Sequence, residues 1–212
     1  VARITDPDFP NGAVVALYMD TYFLTNVPNT FEFQWSAQND GTAWDALDFS
    51  SAEGSPDYIT AAIVVNREIW FFGPGSKEVF YSTGTDTVFE RVTGVFTDQG
   101  CTAPYALVQA DNTCFWLGQD KNGKGMLYRG RGYTSSRVST HGIEWQIGDY
   151  ETISDCIAWG MQMDGHTFII FTFPTAGKTW AYDISSNAWN ELASTNTDGV
   201  FIQYRPCYHA LF

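Results

Sequence analysis

The chain has 212 residues and a formal net charge of −13, from 24 acidic and 11 basic side chains. Hydrophobic residues make up 44% and aromatics 17%, which excludes a disordered tail and favours strands, because large aromatics suit half-buried pleated surfaces. The acidic balance repels phosphate backbones, so tight nucleic-acid binding is excluded, and no apolar run approaches the ~20 residues of a membrane span.

Taken in chain order, the predicted elements form four copies of one unit: an apolar stretch, a polar turn, a second apolar stretch, an aromatic third strand and a short fourth. The first copy reads GAVVALYMD, TYFLTN, TFEFQWSA and TAWDALDF; the second reads DYITAAIVVN, REIWFFG, KEVFYST and TVFERVTG. The third reads APYALVQAD, NTCFWLG, GKGMLYRG and SSRVST; the fourth reads DCIAWGMQMD, GHTFIIFTF, GKTWAYDIS and NAWNELAS. Two landmarks set the register. An Asp or Asn closes the first strand at Asp20, Asn66, Asp111 and Asp164, and an aromatic stands in the third at Trp35, Tyr81, Tyr128 and Tyr182. Both lengthen at the last interval, which places an insertion at His141–Ser154.

Four strands every ~45 residues is the signature of β-propeller blades, in which each twisted sheet covers its neighbour's aromatics. The expectation is therefore an all-β fold: a single propeller domain over residues 1–212 with four four-stranded blades at about 12–50, 58–95, 103–140 and 156–195. RPCYHALF at the end resembles APYALVQA, the first strand of a fifth blade, so an incomplete ring is expected. Val1 opens directly into ITDPDFP with neither an initiator Met nor a secretory leader, which suggests a piece of a longer protein.

No motif reads as a working active site. Tyr182-Asp183 with Trp189 and Leu192 resembles the end of a kelch repeat, and Asn39, Gly41 and Trp44 resemble an Asp-box turn, but both are read as turn chemistry. Ala176-Gly177-Lys178-Thr179 lacks the upstream Gly of a phosphate loop, since position 172 is Thr. Asp120, Asn122 and Gly123 lack the closing Glu of a calcium loop. A propeller glycosidase would need two opposed carboxylates, for which Asp45, Asp48, Asp98, Asp155 and Asp164 are the candidates. The arginines Arg3, Arg67, Arg91, Arg129, Arg131, Arg137 and Arg205 do not repeat in phase, and His141, His166 and His209 share no triad spacing. Lys121, Lys124, Arg129 and Arg131 form the densest basic stretch, read as a solvated edge. Cys101, Cys114, Cys156 and Cys207 have no metal-ligand spacing and are expected as buried free thiols. No catalytic, cofactor or metal residues are assigned, and no enzyme activity is expected. A carbohydrate-binding propeller stacking sugars on some of the eight Trp is the alternative, with a glycosidase behind it.

Four stretches are more specific than propeller physics requires: NDGTAWDALDFSSAEGSPDYI (39–59), VNREIWFFGPGSKEVFYSTG (65–84), QGCTAPYALVQADNTCFWLG (99–118) and FPTAGKTWAYD (173–183). In their order and spacing they resemble the packaged-DNA stabilisation proteins of short-tailed bacteriophages, the tail hub or nozzle family, from about residue 4 to about 195. The resemblance implies a structural virion protein, made in the host cytoplasm and built into the tail. It implies a ring of copies, a hexamer, below the portal and head-to-tail adaptor, with the tail needle and the tailspike as further partners and no membrane. Packaged DNA would be retained there and later pass through without tight binding. The polar rim loops Gly84–Val88, Gln119–Gly125 and His141–Thr152 are the expected contact segments.

Overall fold

The computed structural model describes residues 3–55, 57–85, 87–119 and 122–204. Nearly all regular structure is antiparallel β, in four four-stranded sheets whose strands follow each other in sequence order. The first sheet holds β1 (Ala16–Met19), β2 (Tyr22–Asn26), β3 (Glu32–Ala37) and β4 (Asp40–Ser51). The second holds β5 (Ala61–Val65), β6 (Glu68–Phe72), β7 (Lys77–Ser82) and β8 (Phe89–Thr97). The third holds β9 (Leu107–Ala110), β10 (Thr113–Gln119), β11 (Gly125–Arg131) and β12 (Thr134–Arg137). After a helix, α1 (His141–Gly148), the fourth holds β13 (Ile157–Met163), β14 (His166–Phe173), β15 (Lys178–Asp183) and β16 (Ala188–Glu191). A two-stranded hairpin of β17 (Ala193–Thr195) and β18 (Phe201–Gln203) follows. The expected fifth first strand, RPCYHALF, lies outside the described residues.

The first landmark is a turn. Met19 pairs with Tyr22, Val65 with Glu68, Ala110 with Thr113 and Met163 with His166. Each first hairpin therefore closes through two residues, and both have positive φ: Asp20 and Thr21, Asn66 and Arg67, Asp111 and Asn112, Asp164 and Gly165. That is the type I′ geometry whose twist matches the strands, and Asn and Asp tolerate it best among residues with a side chain. The second landmark has no common place in the sheets. Trp35 faces Leu24 and Tyr81 faces Glu68, at different distances from their turns, whereas Tyr128 facing Trp116 and Tyr182 facing Ile169 share one place.

The chain divides into two compact units, Val1–Pro104 and Tyr105–Phe212, with two of the large sheets in each. In the first unit, Phe33 of β3 stacks on Phe71 of β6 with ring centroids 4.3 Å apart, and Phe80 and Phe89 meet Phe33 edge-on at 5.1 and 6.3 Å. Met19, Leu24, Trp35, Ile59 and Ile69 complete this core. Apolar inner strands thus cover one another, as stacked blades require. The second unit buries Phe115, Trp116 and Leu117 of β10 and Ile169, Ile170, Phe171 and Phe173 of β14. There Tyr105 O accepts a bond from Ala158 N at 2.8 Å, and the Trp189 indole donates to Val138 O at 3.0 Å.

The outermost strands differ between the units. In the first sheet Gln34 pairs with Phe49 and Ser36 with Trp44, which leaves Asp45–Asp48 outside the register opposite Trp35. In the second, Glu78 pairs with Phe96 and Phe80 with Arg91, which leaves Val92–Val95 outside it opposite Val79. These are equivalent bulges of the kind that edge strands carry. Strands β12 and β16 keep their register throughout.

Two expectations are corrected. The segment His141–Thr152, expected as a rim loop, folds at His141–Gly148 into α1. Helix propensity alone does not form it, since Gly142 lies inside and Thr140 makes no side-chain cap. Packing does: Ile143 and Ile147 are buried, and a Cβ at Gly125 of β11 would lie 2.5 Å from Ile147 Cγ2. The fourth expected strand, NAWNELAS, leaves its sheet after Glu191, and Ala193–Thr195 pairs instead with Phe201–Gln203.

Candidate functional site

The constellation nearest to a catalytic one lies at the end of β14 and β15. His166 Nδ1 is 2.8 Å from Asp183 Oδ2, Ser186 Oγ donates to the same oxygen at 2.6 Å, and Ser185 N donates to Asp183 Oδ1 at 2.9 Å. The Ser186 hydroxyl first, then the Ser185 amide and His166, hold the Asp183 carboxyl down at about 2 against the opposing effect of burial. A nucleophilic triad needs the hydroxyl on the imidazole and the carboxylate behind it. Here both the hydroxyl and the imidazole bond to the carboxylate, so the arrangement closes a turn and leaves no activated oxygen.

A second cluster fixes α1. Arg137 bonds both carboxylate oxygens of Glu144 through Nε and Nη2, and Ser139 Oγ donates to Glu144 Oε1 at 2.5 Å. Ser139 Oγ in turn accepts from Leu127 N at 3.1 Å. Glu144 also lies in the first turn of the helix, where a negative charge is favoured. The indole of Trp145 next to it stands 61% exposed.

A third group lies along β7 and β8. Lys77 is fully buried, with Nζ 4.5 Å from the centre of the Trp70 ring. Glu78, also buried, accepts from Gly54 N at 2.7 Å and from Arg91 Nη1 at 3.2 Å. Over this pair the β8 bulge opens a hollow of about 340 Å³ lined by Gly54, Arg91, Val92, Gly94, Val95 and Phe96. Nothing in sequence periodicity signalled it, because the register between two strands cannot be read along either one alone.

The candidate carboxylates have local partners. Asp155 Oδ2 accepts from Thr175 N at 2.7 Å, and Asp57, nine residues before Asn66 as Asp155 is before Asp164, does the same for Gly75 N at 2.9 Å. Asp164 forms its hairpin turn, Asp98 is exposed, and Asp45 Oδ1 caps Leu47 N at 2.9 Å. Burial first, then the Asp45 charge, pushes the Asp48 carboxyl above its ordinary value. Arg67 pairs with Asp20, Arg129 with Asp111, and Lys178 with Glu191, which ties Lys178 into a hairpin. Gly177 has φ +65 and Gly123 φ +79, both in turns.

Of the tryptophans, Trp35, Trp44, Trp70, Trp116 and Trp159 are buried, and Trp180 and Trp189 are partly buried and donate to Tyr150 and Val138. Among the tryptophans only Trp145 is exposed. Cys101, Cys114 and Cys156 are buried, and burial pushes the Cys101 thiol up to about 12. Asp86, Asp120, Lys121, Arg205, Cys207 and His209 lie outside the described residues. Among the described residues no group of three metal-ligating side chains converges, and no helix is long and apolar enough to cross a membrane.

A phage-stabilisation family model, described as "Bacteriophage P22 Gp10, beta-propeller", matches residues 1–211. No curated protein matches the sequence significantly. Among solved structures, an extracellular domain attributed to a one component system of B. thetaiotaomicron aligns with a TM-score of 0.50 at 9% identity, over 92% of this chain and 26% of that one. A Bacteroides fragilis NCTC 9343 protein described as exported aligns with a TM-score of 0.32 at 9% identity, over 84% of this chain and 70% of that one. The chain thus spans about a quarter of the first of these structures, and at such identity the first likeness concerns the fold alone.

Proposed function

This chain belongs to the phage-stabilisation family of β-propeller proteins, and from that premise we propose that it forms the hub or nozzle of a phage tail. A structural role in the phage follows from the family itself. In the finer reading, copies assemble into a ring below the portal and head-to-tail adaptor, retain the packaged genome and line part of its exit path. The tail needle closes the opening, the tailspike attaches nearby, and assembly takes place in the host cytoplasm before the protein joins the virion. The observation that carries this reading is the family match over residues 1–211.

The physical properties support it. A net charge of −13 lets DNA pass without sticking. The polar clusters at Asp183, Glu144 and Glu78 satisfy themselves and hold turns, a helix and an edge in place, which suits a scaffold that does no chemistry. The test is a phage deleted for this gene. Its heads should package DNA and then lose it, and the protein supplied in trans should restore retention. Heads that keep their DNA as well as wild type would refute the reading.

A further inference from the structure

We propose that the two edge bulges of the first unit are the two halves of a head-to-tail contact between copies of this chain, with the Asp45–Asp48 bulge as the knob and the Val92–Val95 bulge as the hole. This rests on the reading of the protein as a ring of copies.

The two bulges occupy the same place in consecutive sheets, and their third residues are opposites. In the first it is Leu47, whose side chain is 81% exposed, the most open of the large apolar residues described. In the second it is Gly94, with φ +80 and nothing within 4 Å of where a Cβ would stand. A side chain there would be strained, so the position favours glycine, and it lines the hollow of about 340 Å³. Gly54, also in the lining, is constrained in another way, because a Cβ would lie 2.8 Å from Glu78 Oε1 and 2.9 Å from Phe96 Cδ2. Two glycines thus line the hollow, and its volume has room for a leucine.

Charge follows shape. Leu47 has a carboxylate on either side in sequence, Asp45, which accepts from its N–H at 2.9 Å, and Asp48. The hole is bordered by Arg91, whose side chain is 50% exposed and which spends one N–H on Glu78, and it is floored by Val92, Val95 and Phe96. An apolar tip flanked by acid fits an apolar hollow flanked by a guanidinium. Knob and hole are different surfaces of one chain, so the contact is heterologous, the kind that closes into rings when its rotation permits.

The experiment measures association of the full-length protein by analytical ultracentrifugation, with the thermal midpoint of each variant confirming its fold. Leu47→Ser removes the knob and Thr93→Glu puts a negative charge at the hole; both sites are exposed. Each variant alone should associate about tenfold more weakly or worse. An equimolar mixture of the two should form 1:1 dimers and nothing larger, because the intact hole of one chain accepts the intact knob of the other. Wild-type assembly that both variants match would overturn the contact and leave the ring reading standing, as would a mixture that stays monomeric while wild type assembles. A wild-type protein that stays monomeric would overturn both.

Discussion

Thr21 is a β-branched residue with φ 77, in the first hairpin turn, where the three corresponding positions hold Arg67, Asn112 and Gly165. Such a residue is strained there. Thr21→Gly should therefore raise stability by on the order of 1 kcal/mol, read from urea midpoints, and a loss would show that the threonine has a role the turn does not explain. Asp183 makes a prediction in pH. Its carboxyl is held at about 2, below the ~3.9 of an unfolded chain, so its contribution is complete above about pH 4 and disappears as pH falls through about 2. Asp183→Asn should flatten the stability–pH curve between pH 4 and pH 2, measured by denaturation across a buffer series. At this scale the sequence was partly legible. The Asp or Asn closing each first strand marks the turn because these residues tolerate left-handed backbone. The pairing of His166 with Asp183 was not legible, since it depends on which residues two strands bring side by side.

Among the elements, α1 and the two bulges were invisible beforehand, for related reasons. HGIEWQIG has little intrinsic tendency to form a helix and is held by the Arg137–Glu144–Ser139 cluster and by Ile143 and Ile147. Tertiary contacts here override propensity. Glu144→Ala should consequently cost about 2 kcal/mol, because it strips partners from Arg137 and Ser139, whereas Trp145→Ala should stay within about 0.5 kcal/mol, the side chain being exposed. Circular dichroism with thermal melts checks both; equal costs would mean that the indole anchors the helix as much as the carboxylate does. The aromatic landmark shows the opposite failure. Trp35, Tyr81, Tyr128 and Tyr182 recur in sequence, yet only Tyr128 and Tyr182 face equivalent partners. Large aromatics suit any half-buried strand position, so their recurrence locates a strand without locating a depth within it.

For the whole molecule, composition and repeat length were enough to reach an all-β propeller, because four strands per ~45 residues leave few other ways to bury so many aromatics. The family stretches added a role that no single residue cluster carries. With a net charge of −13, the protein should not retard duplex DNA in a gel at physiological salt. Replacing eight exposed carboxylates with lysine would bring the charge to about +3 and should produce salt-sensitive retardation. Retardation by the unmodified protein would contradict a path along which DNA slides freely.

The order of strands in the sheets bears on how the protein is made. Each sheet is a meander whose strands pair only with their neighbours in the chain, so the first is finished once Ser51 is available. No strand waits for a partner encoded far downstream, and the closure entropy for each pairing is small. As the chain leaves the ribosome, each blade can zip up once its own four strands have emerged, and an arrested chain would carry whole blades followed by one unfinished sheet.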